Sequence, residues 1–437
     1  MMLDRSATAE KVWLQLTGDD EGRVCRDIPE EACKAQPQNF LLHVVALAAT
    51  RTGDGLADAK LVLAWLLGAL GAPIFLIGFL VPVREAGALL PQLATAGGIR
   101  RLPLRKRAWS AGALVQGLAV LGMGVTALLF EGAVAGWLIV GLLLVMSLAR
   151  SVCSVSYKDV LGKTVSRSTR GTATGTASTL GAVAVLGFGV LLATGLLPLE
   201  VAPVALVLCL AGVLWFLAAL VFSALAEQPG ATEGGGNALS VVRARVGLLG
   251  SDGQLRRFIL VRSLLVATAL APPFLLALSG RERDAELGEL GGFVIASSLA
   301  AVASTYLWGR LADVSSRRVL LCSALLAALP LALAAVLGTL APAGLRPLLP
   351  LLLFVLMIAY QGVRLGRSTH VVDMADSDNR ATYTALSNTV VGLVLVLGGA
   401  AGFVAGAFGE AALLGLFAAM CLVAALLAAG LEEVQRT

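Results

Sequence analysis

The chain has 437 residues, 58% of them hydrophobic and only 14% charged, with a net charge of +5 and a mean hydropathy of +0.87. Soluble domains run near 45–50% apolar and about 25% charged, so the composition excludes a soluble globular protein and indicates one that crosses a membrane many times. The 49 glycines fit that class, because glycine lets membrane helices approach closely.

Residues 1–38 are polar and mixed in charge, and no basic stretch there is followed by an apolar one, so no cleaved signal peptide is read. Cys25 and Cys33 have seven residues between them, which matches no CxxC or zinc spacing. Cys153, Cys209, Cys322 and Cys421 lie in apolar segments and read as small core residues.

A helical span needs about 20 apolar residues. Runs of that kind predict twelve spans, near 39–66, 71–98, 108–130, 134–157, 171–195, 201–225, 257–279, 288–309, 318–340, 347–371, 382–405 and 409–431. The first two carry charges and join through "LLGALGAP" with almost no polar loop. The Gly-rich stretch 226 to 257 divides six spans from six and reads as a linker. The expected organisation is an N-terminal segment (1–38), a six-helix bundle (39–225), a cytoplasmic linker (226–256), a second six-helix bundle (257–431) and a tail (432–437).

Lys and Arg set the orientation. Loop 2–3 holds Arg100, Arg101, Arg105, Lys106 and Arg107, and loop 4–5 holds Lys158, Lys163, Arg167 and Arg170. Loop 6–7 holds Arg243, Arg245, Arg256 and Arg257, and loop 8–9 holds Arg310, Arg317 and Arg318. The other side offers Lys60, Arg281, Arg283 and Arg346. These basic loops are expected in the cytoplasm, with both termini on the same side.

The two halves repeat. Arg150 precedes Asp159 by nine residues, as Arg364 precedes Asp373, and "RGTAT" from Arg170 aligns with "RATYT" from Arg380. The offset stays near 210, which predicts two pseudo-symmetric halves of equal orientation related by an axis along the membrane normal.

Loop 8–9 reads "WGRLADVSSRRVLL", in which Gly309, Asp313, Arg317 and Arg318 make G-x-x-x-D-x-x-x-R-R. This resembles the cytoplasmic loop signature of the major facilitator superfamily, with Ser316 where the family often has Gly. Arg150 resembles the family's intramembrane Arg. The N-terminal copy, "AGGIRRLPLRK", is degenerate: Arg105 and Lys106 fit the basic pair, but Ala96 and Arg100 replace the Gly and Asp. The antiporter-type "GP" of span five is missing. The resemblance implies an all-α integral membrane fold of twelve helices in two six-helix bundles around a central cavity. It also implies transport by alternating access, carried out by a monomer in the bacterial cytoplasmic (inner) membrane. Gly309, Asp313, Arg317 and Arg318, with Asp159 and Asp373, are the expected cytoplasmic gate.

Ionisable residues inside the membrane are functional candidates. At 1.5 Å per residue, Arg51 and Asp54 lie about 18–23 Å from the inner end of span one, and Arg84 and Glu85 about 20 Å from that of span two. Arg150 and Arg364 sit somewhat nearer the cytoplasm, at matching depth. One arrangement pairs Asp54 with Arg84 and Arg51 with Glu85. Either the cluster is a neutralised packing device, or Asp54 or Glu85 is a proton site while Arg51, Arg84, Arg150 and Arg364 bind a small anionic substrate. Arg262 is expected to snorkel, and Pro272 and Pro273 to kink span seven. Gly398, Gly402 and Gly406 form a small-xxx-small face. His43 and His370 lack a second ligand at metal spacing.

HExxH and GxSxG are absent, and "GKT" at 162–164 has Tyr157 where a P-loop needs Gly. The expectation is a transporter, not an enzyme, with protons, lipids and a small molecule as partners and no nucleic acid, metal or cofactor. A non-transporting assembly or sensor protein, or a lipid or amphiphile flippase, is the alternative.

Overall fold

Helix is the only regular structure among the described residues, as a hydrocarbon environment demands: a helix satisfies its own backbone groups where no water can. The computed structural model describes residues 2–17, 28, 30–230, 232, 247–279, 289–340, 347–375 and 380–434. Cys25 and most of the linker, including Arg243 and Arg245, lie outside the described residues.

Each of the twelve expected spans holds helix. Span one is Gln36–Leu56 followed by Val62–Ala69, and span two is Ile74–Leu89 continued by Gln92–Arg100. Spans three to six are Lys106–Leu129, Gly132–Thr164, Arg167–Ala193 and Val201–Ser223. Span seven is divided into Gly253–Leu264, Ala267–Leu270 and Pro272–Ser279, so the helix breaks just before the two prolines. Spans eight to ten are Glu289–Val314, Ser316–Leu340 and Leu349–Met374. Span eleven is Arg380–Leu397 and Ala401–Phe408, joined by a 3₁₀ turn, and span twelve is Glu410–Ala429.

Among the described residues, nine helices are long and apolar enough to cross a membrane, or ten if Ile74–Leu89 and Ala94–Arg100, bent by 42°, count as one. Span one falls outside that set because it unwinds at 57–61, between its charges. Span eight contributes a shorter apolar stretch, Leu290–Ser304.

The repeat is visible in the packing. Span three packs on six and four, and span nine on twelve and ten; span one packs on five and six, and span seven on eleven and twelve. The core runs through both halves, from Leu66, Leu80 and Trp215 to Phe274, Leu331 and Phe417. Leu118, Leu129, Leu220, Leu340 and Leu426 remain exposed on the outer faces, where a lipid-facing surface is as apolar as the interior.

The halves meet along two seams, span five against eight and span two against eleven. Both are closest at the face away from the termini. A Cβ at Gly78 would meet the Gly402 backbone nitrogen at 2.5 Å, and one at Gly291 would meet that of Ala193 at 2.5 Å. Of the small-xxx-small face, Gly402 packs on the Phe75 backbone and Gly398 on the Leu270 side chain. Phe75 stacks on Phe403 across the same seam, with centroids 5.1 Å apart.

The described part of the N-terminal segment includes a helix that packs on the bundle. This helix, Met2–Thr17, buries Trp13 against Phe40, Val44, Leu161, Val165 and Ala173 at the termini-facing ends of spans one, four and five. The Trp13 and Phe40 rings meet edge-on at 4.9 Å. Cys33 is disulfide-bonded, whereas Cys153, Cys209, Cys322 and Cys421 are free.

Candidate functional site

Span one unwinds where its sequence reads "ADAKL". The Asp58 carboxylate accepts hydrogen bonds from the Lys60 backbone N–H at 2.9 Å and the Leu61 N–H at 3.0 Å. It therefore holds the open turn that precedes the helix Val62–Ala69. Broken backbone at this depth is tolerated where it lines a polar cavity, and 57–61 does so.

The cavity has a volume of about 410 Å³, within the range of small-molecule sites. The first half contributes Arg51, Asp54, Asp58, Lys60, Arg84, Glu85 and Arg150, and span ten of the second contributes Tyr360, Gln361, Arg364 and Arg367. Six cations face three carboxylates there, a net of three positive charges.

Asp54 is the most constrained of the acids. Its Oδ1 accepts from Arg84 Nη2 and from Arg150 Nη1, each at 2.5 Å, tying spans one, two and four together within the first half. The expected Asp54–Arg84 pair is present. The expected Arg51–Glu85 pair is not among the ion pairs of the described residues. Arg51 stays exposed to the cavity, with Asp54 as its nearest opposing charge, because span five crosses so closely that a Cβ at Gly181 would meet the Arg51 Cβ at 2.6 Å.

Glu85 makes no hydrogen bond or ion pair among the described residues. It lies instead in the field of Lys60, Arg364, Arg84 and Arg367. The Lys60 ammonium sits 3.7 Å from the centroid of the Tyr360 ring, a contact between the two halves. The guanidinium carbon of Arg364 lies 5.9 Å from the same centroid.

Three of the cavity's charged residues, Asp58, Lys60 and Arg367, lie outside the set of site residues that the sequence singles out. By sequence Lys60 counts with the loops of the far side; the break in span one brings it into the cavity instead. Arg367 has a readable signal, since it follows Arg364 by three residues and shares its face. Behind Arg367 stands Arg262, and it does not snorkel. It is 6% exposed and donates to Ser387 Oγ and, at 3.1 Å, to Asn388 Oδ1, because span eleven covers it.

The expected gate residues lie on the termini-facing side. Asp159 pairs with Arg105 and, at 2.8 Å, with Lys163. Glu227, just after span six, accepts from the Arg105 and Lys106 N–H groups at 3.1 and 2.8 Å and from Lys163 at 3.2 Å. The second half repeats the device. Glu433, just after span twelve, accepts from Ser315 Oγ at 2.7 Å and faces Arg317 Nε at 3.5 Å. These contacts stay within each half. Arg318 and Asp373 are exposed, Gly309 is half-buried and the Asp313 side chain lies outside the described residues. His43 and His370 end on hydroxyls, Thr164 at 2.8 Å and Ser316 at 2.9 Å.

No protein-family model and no curated protein sequence matches the chain. Solved structures do. A point mutant of the nucleoside transporter NupG matches with a TM-score of 0.70 at 16% identity, over 90% of this chain and 100% of that one. A D-xylose-proton symporter matches with a TM-score of 0.69 at 12% identity, over 91% and 98%. The peptide transporter POT in complex with sulfate matches with a TM-score of 0.66 at 14% identity, over 94% and 97%.

The chain has the major facilitator fold. In that fold the cavity lies on the axis between the two bundles, where Asp54, Glu85, Arg150 and Arg364 converge. The identities are too low to carry a substrate from any of these proteins to this one.

Proposed function

We propose that this protein is a secondary active transporter that moves a small anionic solute across a membrane by alternating access, coupled to protons. The observation that carries the reading is the cavity between the halves, with six cations against three carboxylates. An excess of positive charge gathered in one cavity within a membrane is costly unless an anion compensates it. Arg51, Arg84, Arg150 and Arg364 bind the solute, and the termini-facing residues Asp159, Gly309, Asp313, Arg317, Arg318 and Asp373 serve the cytoplasmic gate. The basic loops favour an orientation with both termini in the cytoplasm.

Of the two candidate proton carriers, Glu85 suits the task better. Two guanidiniums already engage Asp54 by direct contact. Glu85 has four cations around it and none in contact, so a bound anion competes with its charge. A proton on Glu85 releases those cations to the anion, which makes proton and anion bind together and the transport a symport. The structural neighbours include a proton symporter, which supports the reading.

Purified protein in liposomes, loaded with a panel of phosphate, carboxylate and sulfate solutes under imposed pH gradients, tests it. Accumulation of an anion driven by an inward proton gradient is expected. Absence of flux for every solute and gradient rejects transport and favours a non-transporting role.

A further inference from the structure

The internal repeat lets one half serve as a control for the other. Arg262 stands 211 residues after Arg51 and Arg364 stands 214 after Arg150. At the first of these offsets, Asp54 maps onto Leu265, which is 1% exposed. The first half thus carries its own counter-charge, and the second has a leucine in that place.

The partners differ accordingly. Arg262 is held by the hydroxyl of Ser387 and the amide oxygen of Asn388, and its Nε is buried without a hydrogen-bond partner. Its charged neighbour is another cation, Arg367. Among the described residues, the one hydrogen bond that the Arg364 guanidinium donates goes to Gln361 Oε1, at 3.5 Å. None of these three arginines makes an ion pair among the described residues. The carboxylate in whose field Arg364 and Arg367 lie, Glu85, belongs to the other half.

Neutral oxygens satisfy guanidinium N–H groups but do not cancel their charge, and like charges gathered in a low-dielectric interior repel. A planar guanidinium matches a carboxylate or phosphate in two parallel hydrogen bonds. We propose that the second half carries the anion site: the carboxylate or phosphate group of a small molecule seats on Arg364 and Arg367, with Arg262 behind them. The Arg84–Asp54–Arg150 unit then has its charge largely offset within the first half, two guanidiniums on one carboxylate, and frames the rest of the molecule. The inference rests on the proposed anion-transport reading for the translocation step alone; binding itself is measurable without flux.

The test is anion binding to purified full-length protein in detergent at low salt, by calorimetry and thermal shift, with citrate and inorganic phosphate as probes. Wild type and Arg256→Gln, an exposed control, bind alike. Arg367→Gln loses about tenfold or more in affinity, the scale of a lost charged hydrogen bond, and Arg262→Gln loses less, about threefold, because it removes a charge and no contact with the anion. Leu265→Asp, which installs the missing counter-charge, weakens binding as well, whereas Leu265→Asn does not. Arg367→Gln keeps the test open if the Leu265 variants fail to fold. Preference for citrate or for phosphate names the group. Wild-type affinity in both arginine variants overturns the inference while leaving the transport reading intact. No binding by wild type, with flux of an uncharged solute in liposomes, overturns both.

Discussion

Arg84 and Glu85 are adjacent in span two and serve opposite sides of the cavity. The Arg84 guanidinium turns inward to Asp54 at 2.5 Å, within its own half. Glu85, rotated by about 100° on the helix, faces Lys60 and the arginines of span ten. The first residue helps to lock a bundle. The second faces the seam along which the bundles must move. Glu85→Gln is therefore expected to leave a folded, anion-binding protein whose uptake no longer responds to an imposed pH gradient, while exchange of solute for solute continues. Reconstituted flux, compared in the gradient-driven and exchange modes, checks this. Gradient-driven accumulation at the wild-type rate removes Glu85 from the coupling.

Asp54→Asn has a different expected outcome. The substitution leaves Arg84 and Arg150 without the acid they share. Removing the shared acid leaves two guanidiniums uncompensated, at a cost reduced by the cavity they face, on the order of 1–3 kcal/mol. A lower melting temperature and lower yield of monodisperse protein should accompany any loss of flux. A variant as stable as wild type would show that water or an anion already neutralises the two arginines.

Spans and repeat are legible in the sequence because membrane helices are read by apolar length, and loops by their charge. Arg51, Asp54, Arg84, Glu85, Arg150 and Arg364 stand out as ionisable residues at similar depth, and the cavity brings all six together. Lys60 misleads because an unbroken span one puts it near the far end; the break rests on two backbone hydrogen bonds to Asp58 that no periodicity reports. Arg262 misleads because its partners, Ser387 and Asn388, come from a helix 125 and 126 residues further along the chain. Arg51 does not pair with Glu85 among the described residues, and span five crosses close beside its Cβ, a contact between spans that the sequence does not reveal.

Asp252 caps span seven from just outside the membrane segment, accepting from the Gln254 and Leu255 N–H groups at 2.9 Å and from the Tyr383 hydroxyl at 2.5 Å. Burial works to raise its pKa, but the Leu255 N–H, the Tyr383 hydroxyl and the Gln254 N–H outweigh it and hold the carboxyl below its usual value. A depressed folded-state pKa means that the cap's stabilisation is complete above the unfolded value of about 3.9 and is lost as pH falls through the lowered one. Asp252→Ala is expected to cost about 1 kcal/mol at neutral pH. Melting curves of the two proteins should differ at pH 7 and converge toward acid. An offset that is the same at both ends of the pH range would assign the loss to packing alone.

Gly402 lies so close to span two that a Cβ there would meet the Phe75 carbonyl oxygen at 2.6 Å, a backbone atom with no freedom to move aside. Gly402→Leu must push spans two and eleven apart on the face away from the termini, at a cost of about 1–3 kcal/mol typical of overpacking. The clash lies on the seam between the halves, so the cost falls on the state in which that face is closed. The population is expected to shift toward a state open on that face, by about tenfold for each 1.4 kcal/mol. A cysteine at Phe79, in a background without the free cysteines, reports it: Phe79 is half-buried in the closed seam, where its ring packs beside Gly399 of span eleven. Labelling by a membrane-impermeant maleimide from that side should accelerate in the Gly402→Leu protein. An unchanged labelling rate, with intact folding, would show that the seam does not open during function.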